Sequence, residues 1–197
     1  MAEELKELLV PLEEYKESGV CLGTKVIVSH MKQYVYKRRA DGLATINTQE
    51  TDSRLKLAAN LLSQYAPEDI FLACKREAGW EAAEAFGKAT GIRVFTKKYL
   101  TGIITNPNLP GFFEPSLIFI TDPWLDKNPL ADAIKLNLPV ISLCDTNNIT
   151  SNIDLVVPCN NKSADSLGLV FYILAREYCQ KRGINKLPEK SDFVKKK

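Results

Sequence analysis

The sequence predicts an α/β domain, a doubly wound and mostly parallel sheet preceded by an N-terminal β-hairpin. Three observations predict it. First, short apolar runs at 70–74, 92–95, 117–121, 139–143 and 154–157 alternate with helical patterns at 80–90, 128–137 and 164–181. Strands separated by helices of that length need crossover connections, so they pair in parallel. Second, the run at 117–120 is apolar throughout and that at 139–143 is apolar but for Ser142, as suits strands covered on both faces. Third, two β-type runs, Tyr34–Tyr36 and Leu43–Ile46, flank Ala40-Asp41-Gly42, a hairpin turn signal.

Each element has a local warrant. Leu5, Leu8 and Leu9 give a short helical pattern at 5–9. Pro11 suits a first helical turn, and Gly19 suits a cap, which predicts a helix near 11–18. Lys25–Ser29 reads as a strand. In the hairpin, Tyr34 and Tyr36 are expected on one packed face, with Lys37 and Arg39 pointing out. Asn47-Thr48-Gln49-Glu50 resembles a capping box. Leu55, Ala58, Ala59, Leu62 and Tyr65 follow at helical spacing until Pro67 stops the helix. The last helix carries Leu167, Val170, Phe171, Leu174, Ala175 and Tyr178 on one stripe and ends at Gly183. The expected organisation is an acidic helical segment over 1–19, one α/β domain over 20–183 and a basic, flexible tail over 184–197.

The chain has 197 residues, 45% of them hydrophobic, enough for one domain with a substantial core. No run approaches the ~18 to 20 apolar residues of a membrane helix, and the Glu- and Leu-rich start does not resemble a secretory leader. The expected location is the cytoplasm. Five cysteines without a C-x-x-C pair, and one histidine, predict neither disulfides nor a zinc site.

Net charge is only +2, but it is unevenly spread. Residues 1–19 hold six acids and two bases, leaving 24 bases against 18 acids elsewhere. Residues 24–39 contain Lys25, Lys32, Lys37, Arg38 and Arg39 and no acid. Residues 85–113 contain Lys88, Arg93, Lys97 and Lys98, again with no acid. The tail from Lys181 and Arg182 onward holds seven bases and two acids. Such patches attract phosphate, and interleaved aromatics (Tyr34, Tyr36, Phe95, Tyr99) can pack against ribose or bases. The other reading of each patch is a solvated charged face.

An enzyme is the rival. Ligands of doubly wound sheets bind where loops leave the carboxyl ends of strands, and Asp122, Asp145 and Asp154 lie at strand ends. However, no glycine-rich phosphate loop and no G-x-S-x-G occurs. A Ser-His-Asp site would have to use His30, which lies in a basic stretch. Asp122 before Pro123 and Asp145 before Thr-Asn-Asn suit Asx turns. As turn residues alone, their replacement by Asn would change stability by less than about 1 kcal/mol.

Three ordered blocks carry a family resemblance. Met31-Lys32-Gln33-Tyr34-Val35-Tyr36-Lys37-Arg38-Arg39-Ala40-Asp41-Gly42 is the first, and Phe113-Glu114-Pro115-Ser116-Leu117-Ile118-Phe119-Ile120-Thr121-Asp122-Pro123 the second. The third runs from Leu138-Pro139-Val140-Ile141-Ser142-Leu143-Cys144-Asp145-Thr146-Asn147-Asn148, through Val157-Pro158-Cys159-Asn160-Asn161-Lys162, to Leu174-Ala175-Arg176-Glu177-Tyr178. Together they resemble the universal small-subunit ribosomal protein S-two family, in its compact, archaeal-type form, over about residues 10–183. Cys21, Trp124 and Ser163 depart from the pattern, where a histidine, an arginine and a glycine are usual. The resemblance implies a three-layer Rossmann-like or flavodoxin-like domain that binds small-subunit rRNA and neighbouring ribosomal proteins, without catalysis, cofactor or metal. The expected RNA-facing residues are Lys25, Lys32, Lys37, Arg38, Arg39, Lys97 and Lys98, with Lys162, Lys181 and Arg182 as secondary contributors. The enzyme alternative would instead place a phosphorylated ligand at the Asp122 and Asp145 loops.

Overall fold

A computed structural model describes residues 8–184 and 187–193. Helix α1 (Leu12–Glu17) leads to a 3-10 helix over Ser29–Tyr34 and to the antiparallel hairpin of β1 (Val35–Arg38) and β2 (Ala44–Ile46). Then follow α2 (Thr48–Gln64), β3 (Ile70–Cys74), α3 (Trp80–Thr90), β4 (Arg93–Thr96), β5 (Leu117–Ile120), α4 (Lys127–Leu136), β6 (Val140–Cys144), β7 (Leu155–Pro158) and α5 (Ala164–Arg182). Strands β3 to β7 form one parallel sheet in the order β4-β3-β5-β6-β7. Counted from β3, this is the order 2-1-3-4-5 of flavodoxin-like sheets, whose winding reverses between β3 and β5.

The period of two along each strand divides the core into layers. Ile70, Leu72, Leu117, Phe119, Ile141, Leu143 and Val157 face α2, α3 and α5, where Leu55, Phe86, Phe171 and Leu174 close the packing. Phe71, Ala73, Ile118 and Ile120 point the other way, to Ala133 and Leu130 of α4 and to Ile103, Ile104 and Phe113 of the β4–β5 connection. Beyond them on that face, Met31, Tyr34 and Ile46 of the hairpin region cover Cys144 and Val156. The doubly wound arrangement therefore follows from the near-continuous apolar character of the central strands β3, β5 and β6. All five cysteines are buried free thiols, and burial pushes Cys74 and Cys144 up to about 12.

Local signals act as the sequence predicts at most ends. The Asn47 side chain caps α2 by accepting a hydrogen bond from Gln49 N at 3.1 Å. Gly42, at φ 85°, lets the hairpin loop close, while Asp41 Oδ1 accepts from Leu43 N.

Three expectations need correction. Lys25–Ser29 is not a strand. It is held by isolated bonds, Ala44 N to the preceding Thr24 O at 3.0 Å and its own Val28 N to Thr146 O at 2.9 Å, so it crosses between the hairpin and the β6–β7 loop without a ladder. Residues 8–10 are not helical, since Leu9 N instead donates to the buried Asp52 carboxylate, and the rest of 5–9 falls outside the described residues. Tyr34 and Tyr36 do not share a face: Tyr34 ends the 3-10 helix and is buried, whereas Tyr36 stands in β1 at the register shift between Val35 and Lys37 and is 70% exposed.

Near the C-terminus, the described residues 187–193 turn back on the domain. Phe193 is buried 6.0 Å from the ring of Tyr172, and Lys190 pairs with Glu14 of α1 at 2.6 Å.

The crossing segment yields a test. A Cβ on Gly23 would meet Thr146 Cγ2 at 2.5 Å and Oγ1 at 2.9 Å. That threonine cannot turn aside freely, because it is buried and its hydroxyl accepts from Thr24 N at 2.9 Å. Gly23→Ala is expected to destabilise the fold by about 1–3 kcal/mol in denaturant unfolding. An unchanged midpoint would show that the segment shifts at no cost.

Candidate nucleic-acid interface

The crossing segment lies over the carboxyl ends of β6 and β7, and it brings the first basic cluster together there. Lys25, Lys32, Lys37, Arg38 and Arg39 are all exposed. Arg38 Nη2 reaches Lys25 O at 3.4 Å, and the Lys37 ammonium lies 5.9 Å from the exposed ring of Tyr36. Asp41, the one acid between residues 24 and 46, pairs with Arg39 at 3.5 Å, both half exposed. The result is a surface of four bases whose charges meet no described carboxylate, beside an open aromatic ring. His30, at the same edge, is exposed and shares a 3.1 Å hydrogen bond with Thr150.

The second cluster follows β4. Lys97 and Lys98 are exposed, and the Lys97 ammonium lies 5.5 Å above the Trp80 ring. Of the other bases in that acid-free stretch, Arg93 is already engaged, stacked 4.1 Å over Phe113.

Lys162 is less free than its sequence context suggests. Its ammonium pairs with Asp145 Oδ2 at 3.0 Å and donates to Asn147 Oδ1 at 3.1 Å. Lys181 and Arg182 stand at the opposite end of α5, which spans 19 residues, roughly 28 Å at ~1.5 Å per residue. They do not join the carboxyl-end face, and Lys181 donates to Asn60.

Two of the strand-end acids, Asp122 and Asp145, form a buried network rather than simple turns. Asp122 Oδ1 does accept from Trp124 N at 2.9 Å, closing the expected Asx turn, but it also accepts from Asn148 Nδ2 at 3.0 Å. Its other oxygen pairs with Arg76. Asp145 Oδ1 accepts from Thr146 N at 2.6 Å, while Asp145 N donates to Asn148 Oδ1 at 2.8 Å. Asn161 completes the set, donating to Asn148 Oδ1 at 3.0 Å. Asp154 accepts from Val140 N at 2.8 Å and braces the start of β6. Both Asp122 and Asp145 are almost fully buried and paired with cations, so Asn at either position is expected to cost more than it would at a simple turn residue. Sequence reasoning missed Arg76. Its position two residues beyond β3, at the carboxyl edge where functional loops gather, was the available signal.

Asp126 is the most perturbed acid. Burial is the largest cause, and it lifts the carboxyl to about 6 despite hydrogen bonds from Thr121, Asp122 and Lys75. A raised acid binds more protons folded than unfolded between pH 4 and 6. Its contribution to stability is therefore largest below about pH 4 and is lost as pH rises to about 6. A carboxyl carbon NMR titration should place the Asp126 midpoint near 6; a midpoint near 4 would show that the carboxyl is solvated.

Comparison with known proteins agrees with this architecture. The family model described as Ribosomal protein S2 matches residues 112–180, from the end of the β4–β5 connection into α5. The chain is 41% identical over 179 residues to the small ribosomal subunit protein uS2 of Methanococcus maripaludis strain C5, covering 91% of this chain and 81% of that one. It is 40% identical over 190 residues to the protein of the same name from Methanoregula boonei, covering 96% and 94%, and 39% identical over 193 residues to that of Haloquadratum walsbyi, covering 98% and 69%. At that identity over nearly the whole chain, with the sheet and hairpin in place, the chain belongs to the uS2 family of small ribosomal subunit proteins.

Proposed function

We propose that this protein binds small-subunit rRNA through its carboxyl-end face, with Lys25, Lys32, Lys37, Arg38 and Arg39 as the principal contacts and Lys97 and Lys98 as the second group. Family membership makes the chain a structural constituent of the small ribosomal subunit and not an enzyme. The observation that carries the RNA assignment is the hairpin cluster: exposed bases, one paired acid, and the open ring of Tyr36 at their centre. Bases of this kind neutralise phosphate and release its counterions. Lys162, on the same face but tied to Asp145, and Lys181 and Arg182, at the far end of α5, are secondary contributors. Neighbouring small-subunit proteins take further surface, beginning with the acidic N-terminal segment, which repels phosphate. The site of action is the ribosome in the cytoplasm; among the described residues, no helix is long and apolar enough to cross a membrane.

The enzyme reading finds no support at the Asp122 and Asp145 loops, whose carboxylates are consumed by Arg76, Lys162 and backbone amides. Sedimentation tests the proposal. The protein is expected to migrate with the small subunit through a salt gradient and to be released as salt rises. Migration as a free protein at low salt, with subunits present in excess, would refute it.

A further inference from the structure

The winding of the sheet reverses between β3 and β5, and the loops after β3, β4 and β5 enclose a cavity of about 360 Å³ at that point. That is the small end of the range for small-molecule pockets, a size suited to one nucleotide. Lys75, Lys97 and Lys98 stand on its rim, and Phe95, Tyr99 and Leu125 form its apolar wall. The one acid lining it, Asp126, turns both oxygens into the protein. Oδ1 accepts from Lys75 N at 3.1 Å, and Oδ2 from Thr121 Oγ1 at 3.0 Å and Asp122 N at 3.2 Å. The cavity thus combines three lysines with the rings of Phe95 and Tyr99 and the polar side chains of Thr101 and Asn128.

The turn that presents the lysines is itself unusual. Lys97 has φ 64°, and Lys98 N closes a three-residue turn onto Thr96 O at 2.8 Å. Glycine would adopt this backbone without strain, and a tight turn with a side chain in the left-handed region is rare. A lysine held there, with its charge over Trp80, gives the strained position a charge that glycine would not supply.

We propose that this crevice seats one unpaired nucleotide of an RNA strand, its phosphate between Lys75, Lys97 and Lys98 and its base against Phe95, Tyr99 and Leu125. The assignment rests on the rRNA-binding reading above and adds to it a second, differently built contact: the hairpin cluster meets backbone phosphates, whereas the crevice requires a base free to leave its stack. A paired base cannot enter such a pocket without unpairing.

The test uses the full chain with three probes at constant salt: hexauridylate, a blunt RNA duplex and free uridine 5′-monophosphate. Lys97→Gln/Lys98→Gln should weaken hexauridylate binding roughly tenfold and duplex binding less than about twofold. Lys97→Gly relieves the backbone strain, so it should raise the unfolding midpoint yet still weaken the hexamer. Equal losses for hexamer and duplex would overturn the proposal, reducing the crevice to a charged surface. Wild-type hexamer binding by either variant would also overturn it. So would monophosphate binding as tight as that of the hexamer, which would assign the pocket to a free nucleotide. Failure of the rRNA reading itself shows elsewhere, in the hairpin variants and in sedimentation.

Discussion

Changing Lys37, Arg38 and Arg39 together to alanine should flatten the salt dependence of binding to the small subunit by about two units of log–log slope. Each phosphate contact contributes a slope of roughly 0.7 to 0.9, and two or three of these side chains are placed to make one. The three are exposed, and the described bonds they form are marginal: Arg38 to a carbonyl at 3.4 Å and Arg39 to a half-exposed Asp41. Folding should survive, since exposed pairs of this kind contribute little to stability. The affinity at low salt should fall accordingly. Measuring binding across a salt series checks both quantities, and circular dichroism confirms the fold. A triple variant with an unchanged slope and normal incorporation would make the hairpin tip a solvated face and move the RNA contact elsewhere.

The largest effect on stability is expected at Asp122. Alanine there removes the partner of Arg76, the acceptor of Asn148 and the Asx turn at Trp124 in one step. Breaking a buried pair costs about 3–5 kcal/mol, because one charge is left uncompensated. Arg76 keeps 23% of its side-chain surface, so water recovers part of that, and about 2–4 kcal/mol is expected. Asn should fall between alanine and wild type, since it retains the turn but presents an amide or a neutral oxygen to Arg76. Urea unfolding of the two variants decides the matter. A loss below about 1 kcal/mol for Asp122→Ala would mean that Arg76 finds water, leaving Asp122 a turn residue only. Neither substitution should affect the hairpin salt slope, which separates the network's structural role from RNA contact.

Much of the molecule was legible because its signals are local. The runs at 70–74, 117–120 and 139–143 carry β-type residues with no polar alternation, which only a two-sided core accommodates. Asn47, Pro67 and Gly183 mark helix ends through the geometry of a single residue. Where the sequence misled, the deciding interaction was distant. Lys25–Ser29 has the composition of a strand, but its backbone partner is Thr146, more than a hundred residues away. Tyr36 is exposed at a bulge that shifts one register step, and a period of two turns any such shift into a change of face.

The same division holds for the site. The acid-free composition of 24–39 and 85–113 is a property of the sequence alone, and so is the charge those stretches carry wherever they lie. Which charges remain available is not. Lys162 and Lys97 look alike in sequence, yet one is matched to a buried carboxylate and the other lies over the Trp80 ring at the edge of the crevice. Arg76 gives no motif and still anchors the strand-end network. By itself, the sequence determined the layers, the order of elements and the sign of the surface, because burial and charge are set residue by residue. The tertiary structure alone decided which bases share a face, which are paired and where the sheet opens a cavity, because those depend on distances between residues that the chain brings together only by folding.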